Sequence, residues 1–171
     1  MRMKKTVETL FAAQFDSPLG PLLAIADEQA LHLVEFIDQR DKKNLRASIV
    51  SGRCPPLLSI EKELELYFSG SLHTFKTPLH IQGSPFQKNV WDELRKIPYG
   101  ETISYAEQAA SMGKPTAYRA VAQANGANRF TIVIPCHRVI NTGGKLGGYG
   151  GGLNRKEWLL EHERKHAQDH A

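Results

Sequence analysis

SYAEQAASMGKPTAYRAVAQAN, residues 104–125, decides how the fold is read. Ser104 and Glu107 stand at the spacing of a capping box and open a short helix that Gly113 should close. Only two residues separate Gly113 from Thr116, and Pro115 then opens a second helix reaching about Asn125, with Ala117, Ala120, Val121 and Ala124 along it. Two short helices across a tight, glycine-containing turn make a helix-turn-helix pattern. The second helix is built of small residues, with Tyr118 its one bulky exposed candidate and Arg119 its one charge. Such a face either packs closely on another helix or enters a narrow groove.

Upstream, Ser84-Pro85-Phe86-Gln87 supplies an N-cap, a proline at the first helical position and a second capping box. Phe86, Val90, Leu94 and Ile97 mark one apolar face, and Pro98 ends the helix. Before it, FDSPLGPLLAIADEQALHLVEF (Phe15–Phe36) reads as short strands joined by turns at Ser17–Gly20 and Asp27–Gln29. A short helix is expected near Lys42–Val50. An amphipathic helix through Leu57, Ile60, Leu64, Tyr67 and Phe68 should stop at Gly70, and Thr77–Gly83 reads as a linker. The chain therefore divides into an N-terminal α/β region, residues 1–83, and a mostly helical C-terminal region, residues 84–171: an α+β protein of two small domains.

Downstream, Thr131–Ile134 is a β-branched run that fits a buried strand. Residues 143–152, GGKLGGYGGG, hold seven of the chain's 14 glycines but lack the order of a phosphate loop. A turned loop close to a ligand fits them better. A last helix starts at about Arg155, with Asn154 as N-cap and Glu157 three residues on.

Charge sharpens the division. Residues 1–83 hold ten Lys/Arg against ten Asp/Glu, so the net +4 lies wholly in residues 84–171, with twelve against eight. Between Ser104 and Lys145, Lys114, Arg119, Arg129, Arg138 and Lys145 face one acid, Glu107. This asymmetry suggests a polyanionic partner, nucleic acid above all; a solvated basic face is the plainer alternative. The segment MRMKKTVETLFAAQF begins basic as a signal peptide does, but Glu8 and Gln14 interrupt it. No window reaches the roughly 18 apolar residues of a membrane span, so a cytoplasmic protein is expected, nuclear in a eukaryote. His162, His166 and His170 fall at helical spacing, yet they run into the terminus and no metal site is expected. Trp91 and Trp158 sit in amphipathic helices and read as core anchors.

The two cysteines, Cys54 and Cys136, are too few for a disulfide framework or a four-thiolate zinc site. A lone cysteine is usually a small buried hydrophobe, which suits Cys54. Cys136 differs in its setting: a proline-forced turn at a strand end, His137 and Arg138 beside it, and the glycine loop just downstream. The segments IPCHRVI (134–140), GYGGGLNRKEWLLEHE (148–163) and PFQKNVWDELRKIPYGETISYAE (85–107) together resemble the methylated-DNA–protein-cysteine methyltransferase family, the O6-alkylguanine-DNA alkyltransferases. The resemblance is dense over residues 84–163 and loose over SPLGPL in the first region.

It implies an RNase H-like first domain and a winged-helix-like second domain containing the helix-turn-helix. Cys136 would accept the alkyl group from guanine O6, possible also from O4 of thymine, in a single irreversible turnover. His137 would take the thiol proton through a water, and Glu163 would orient and charge-stabilise that histidine. Asn128 would brace the turns around the site. Arg119 would fill the stack vacated by a flipped base, with Ala120 and Arg129 as further DNA contacts on a helix laid in the minor groove. Tyr105 would turn the 3′ phosphate and donate a proton to guanine N3. Tyr149 and Gly150 would wall the pocket, and the Val139 carbonyl would read the exocyclic amine. The implied partner is double-stranded DNA bearing O6-alkylguanine, met by a monomer without cofactor or membrane. Where this chain has Gly150 some relatives carry Ser or Ala, and it lacks the cysteines of the zinc site found in some first domains. Two other readings use the same residues: a damage-binding module without chemistry, and a thiol hydrolase built on Cys136, His137 and Glu163.

Overall fold

The computed structural model describes residues 9–39 and 49–168. Its first region is a sheet of four strands: β1 (Leu10–Phe15), β2 (Leu22–Ala26), β3 (Leu31–Phe36) and β4 (Ile49–Ser51). Their order is β3-β2-β1-β4, with β1 and β3 antiparallel to β2 and β4 parallel to β1. Both expected turns form. Gly20 donates its amide to the Ser17 carbonyl (3.1 Å), and the Asp27 carboxylate accepts from the Gln29 and Ala30 amides (2.7 and 2.8 Å). Helix α1 (Pro55–Phe68) buries Leu57, Ile60, Leu64 and Tyr67 against this sheet. The helix expected near Lys42–Val50 lies outside the described residues as far as Ser48. Its last two positions are strand, because Ile49 and Val50 pair with Leu10 and Phe11.

The second region contains α2 (Pro85–Arg95), β5 (Ile103–Ser104), α3 (Tyr105–Ser111), α4 (Tyr118–Gly126), a 3-10 turn (Cys136–Arg138), β6 (Val139–Ile140) and α5 (Leu153–Gln168). Both capping boxes are made, Ser84 with Gln87 and Ser104 with Glu107. Gly113 follows α3 at φ +71°, a conformation that glycine adopts without strain. Buried Gln108 and Asn125 exchange hydrogen bonds (3.0 and 2.8 Å) and lock α3 to α4, while Trp91 donates to the Ala124 carbonyl (2.8 Å). Two helix starts differ from expectation. Ala117 bonds back to the Lys114 carbonyl (2.9 Å), so Pro115 sits in a turn and α4 begins at Tyr118. α5 begins at Leu153, which places Asn154 inside the helix rather than at its cap.

The outer edge of β3 joins the two regions. Leu31 donates to Pro78 (2.8 Å) and accepts from His80 (2.7 Å), so the linker covers the first half of that edge. Val34 donates to Arg129 (2.9 Å) and accepts from Thr131 (2.9 Å), so the segment ahead of Cys136 covers the second. The strand expected at Thr131–Ile134 is not formed. After this single bridge the chain turns, with Ile134 bonded back to Phe130 (2.9 Å) and Ile132 at φ +72°. A β-branched residue held there costs about 1–3 kcal/mol, offset by burying Ile132 almost completely. The run is apolar because it is buried, and burial alone selects the same residue types as a strand. No helix among the described residues is long and apolar enough to cross a membrane.

Candidate active site around Cys136

Cys136 opens the 3-10 turn at the floor of a cavity of about 760 Å3. Tyr105 and Ala106 of α3, Tyr118, Arg119, Ala122, Asn125 and Gly126 of α4, and Gly148, Tyr149 and Gly150 of the glycine loop line it. Asn128 holds the floor: its amide nitrogen donates to the Ile134 carbonyl (2.8 Å) and to Cys136 Sγ (3.4 Å), and its oxygen accepts from the Phe130 amide (2.8 Å). Burial pushes the Cys136 thiol above its ordinary value, against the Asn128 hydrogen bond and the charge of Lys156. At neutral pH the sulfur is therefore a thiol that needs a base.

A candidate for that base lies behind the floor. His137 is fully buried and shares a 2.6 Å hydrogen bond, through Nε2, with Glu163 Oε1 of α5. Burial alone would raise the Glu163 carboxyl; the charge and hydrogen bond of His137 and the Arg138 guanidinium outweigh it and bring it down to about 2. An ionised carboxylate only accepts hydrogen bonds, so Nε2 carries a proton, and in the neutral imidazole it is Nδ1 that keeps the lone pair. Nδ1 is buried and has no protein partner.

Arg138 emerges as a member of this group. Its Nε and Nη2 reach the Glu163 carboxylate at 2.9–3.0 Å, and its Nη1 donates to the Ile97 carbonyl (2.7 Å). Tyr67 of α1 adds a hydroxyl (3.2 Å). Arg138 is thus buried and drops out of the basic stripe read from the sequence. Lys114, Arg119, Arg129 and Lys145 remain exposed.

Tyr105 donates to the Gly148 carbonyl (3.4 Å), and burial, then the neighbouring Cys136, raises its pKa, so its hydroxyl stays protonated. Arg119 and Ala120 are exposed on α4, and Arg119 stands at the cavity rim. Arg129 is exposed and does not line the cavity. Val139, His137, Glu163 and Asn128 lie behind the lining rather than in it. The Val139 carbonyl already accepts from Lys156 Nζ (2.6 Å), which leaves one lone pair for any ligand.

Lys156 was not singled out by the sequence. It is fully buried, joins the Val139 carbonyl to that of Gly148 (3.1 Å), and burial lowers its pKa to about 8. The signal was present: Lys156, Leu159, Leu160 and Glu163 fall at i, i+3, i+4 and i+7, a buried stripe that carries two charges. His162 is also structural, stacked on Trp158 (4.7 Å) and bonded to the Tyr67 carbonyl (2.8 Å). His170 lies outside the described residues. Among the described residues no group of three or more His, Cys, Asp or Glu is placed to hold a metal ion.

Residues 85–165 match the family model for the DNA-binding domain of 6-O-methylguanine DNA methyltransferase, and residues 10–81 match that for its ribonuclease-like domain. The methylated-DNA–protein-cysteine methyltransferase of Methanosarcina acetivorans is 44% identical over 154 residues, 90% of this chain and 98% of that one. This chain belongs to that family. The Salmonella typhimurium member is 44% identical over 165 residues, covering 90% of this chain and 95% of its own. The crystal structure of Mycobacterium tuberculosis OGT in complex with DNA superposes with a TM-score of 0.83 at 40% identity, over 92% of this chain and 94% of the other. The family's two-domain architecture, a ribonuclease-like domain followed by a DNA-binding domain, is the architecture found here.

Proposed function

We propose that this protein repairs alkylated DNA by direct reversal, transferring the alkyl group from O6 of guanine to Cys136 in one irreversible turnover. The observation that carries the reading is a protonated thiol on the floor of an open cavity, backed by a buried histidine whose free nitrogen is fixed by an ionised Glu163. The cavity opens beside α4, whose outward face carries Arg119 and small residues.

In this reading DNA lies along α4 by its minor groove and Arg119 takes the place of the flipped base. Ala120 permits close approach, and exposed Arg129 contacts a phosphate. His137 takes the Cys136 proton at Nδ1 by way of a water, and Glu163 stabilises the imidazolium. The thiolate attacks the alkyl carbon, the C–O6 bond breaks, and its electron pair moves into the purine. Tyr105 supplies a proton to guanine N3, so the base departs neutral. Tyr149 and Gly150 wall the alkyl group, and the free lone pair of the Val139 carbonyl accepts from the exocyclic amine. A thioether has no leaving group to reverse the step, so the protein is consumed. The boundary between the domains falls at residues 83/84, and the protein acts as a cytoplasmic or nuclear monomer.

The test is intact-mass analysis after incubation with a duplex containing O6-methylguanine, followed by peptide mapping. A gain of one methylene on Cys136, absent in Cys136→Ala, is the expected result. Binding of that duplex without a mass change would leave a damage-binding module in its place.

A further inference from the structure

Arg155 fastens the glycine loop that walls the cavity to the first domain. Only 18% of this side chain is exposed. Its Nε donates to the Leu19 carbonyl in the β1–β2 turn (2.9 Å), and its Nη1 donates to the Gly151 carbonyl (3.1 Å) and to Asp38 just beyond β3 (2.7 Å). The guanidinium carbon stands 4.0 Å over the Phe36 ring. An added Cβ at Gly20 would come within 3.1 Å of Arg155 Nη2, so this turn accommodates the arginine closely. The same neighbourhood reaches the pocket wall in two steps. A Cβ at Gly151 would lie 3.3 Å from the Phe36 ring and 2.8 Å from Cε1 of Tyr149, so the fully buried Phe36 and the cavity-lining Tyr149 both crowd the space that a side chain at Gly151 would fill.

We propose that Arg155 is a positioning residue through which the first domain sets the Tyr149 wall of the alkyl pocket. Its planar fork suits the task, because it meets acceptors on two domains at once; a lysine has one point of attachment. Losing it frees the Gly151 carbonyl and lets the loop, whose glycines resist movement little, shift away from Phe36. Displacing a pocket wall by about 1 Å is enough to lower a rate by about 10–100-fold. The exposed ion pair with Asp38 contributes little by itself, since two-thirds of the Asp38 side chain is in water.

The inference rests on the alkyl-transfer reading, and two readouts keep the two apart. In single-turnover transfer from duplex O6-methylguanine, Arg155→Ala should slow the saturating rate about 10–100-fold, while its Kd for undamaged duplex stays within about twofold. Asp38→Asn should transfer at close to the wild-type rate. Hydrogen exchange of the full chain should show faster exchange of amides 146–152 in Arg155→Ala with α1 and α4 unchanged. Arg155→Lys, which keeps the charge but not the planar fork, should still show the faster loop exchange and a slowed rate; this variant decides the matter should the alanine variant not fold. Unchanged loop exchange, or a wild-type saturating rate in the lysine variant, overturns the inference. Failure of the wild-type protein to gain an alkyl group overturns the function instead, and the exchange measurement still tests the fastening.

Discussion

Replacing Glu163 by glutamine removes one charge and almost no volume, which isolates what that charge does. In the native protein the carboxylate faces the His137 Nε2, the Arg138 fork and the Tyr67 hydroxyl, all donors. A glutamine offers one oxygen and one NH2. If the oxygen keeps Arg138, the NH2 meets His137 and forces Nε2 to give up its proton, so Nδ1 becomes the N–H and ceases to be a base. Transfer to Cys136 should fall by about 10²–10⁴-fold, the range for losing a general base and its orienting carboxylate. The buried guanidinium of Arg138 is also left without its counter-charge, at a cost of about 3–5 kcal/mol. For a chain of this size that corresponds to a Tm lower by about 6–20 °C. Rapid-quench transfer from O6-methylguanine duplex, measured well below the variant's Tm, gives the first quantity, and circular dichroism melting gives the second. Tyr67→Phe, which deletes only a 3.2 Å hydrogen bond, should transfer within about twofold of wild type and lose about 1 kcal/mol. Transfer by Glu163→Gln within threefold of wild type would show that the carboxylate neither orients nor charges the histidine.

Three further outcomes follow from the same geometry. Glu163 is depressed from 4.5 to about 2 in the folded state, so its stabilisation is complete above about pH 4.5 and disappears as pH falls towards 2, on the order of 3 kcal/mol in all; acid melts of wild type should show this loss and Glu163→Gln should lack it. Cys136 should react with iodoacetamide at neutral pH more slowly in the native protein than in urea, because burial keeps it protonated; faster native reaction would mean a preformed thiolate. Arg129→Ala should reduce the slope of log K against log salt for duplex binding by about 0.9, whereas a conservative change at buried Arg138 should leave the slope alone while lowering stability.

What the sequence shows clearly is local chemistry. Ser84 with Gln87 and Ser104 with Glu107 bond within three residues, and both boxes form as spaced. The Cys136, His137 and Glu163 group was legible only through the family resemblance, because α5 brings Glu163 to the site from 26 residues beyond His137. What it conceals is partnership at a distance. Arg138 reads as one more cation in a basic stretch until the Glu163 carboxylate and the Ile97 carbonyl, 41 residues away, are seen around it. Thr131–Ile134 reads as a strand because nothing local reveals that Asn128 will draw the chain into a turn. Lys156 sits between these cases: its place on a buried stripe is periodic and readable, but its acceptors, one carbonyl in β6 and one in the glycine loop, are announced by no periodicity.

On the alkyl-transfer reading, the first domain supports the chemistry through these contacts. Tyr67 of α1 reaches Glu163, Phe36 of β3 supports Gly151, and Val34 of the same strand bonds the segment that delivers Cys136. The floor under Cys136, the Glu163 carboxylate behind it and the glycine loop are each held by contacts with the sheet domain, although every residue proposed to touch DNA or the alkyl group belongs to the second. A thiol that is neutral until its proton leaves depends on geometry more than a preformed thiolate does, because sulfur, imidazole and alkyl carbon must come into line at one moment. A rigid sheet edge, with its backbone groups already paired, is a better reference for that alignment than a glycine loop, and on the proposed reading this gives a domain that contributes none of the reacting atoms a part in the reaction.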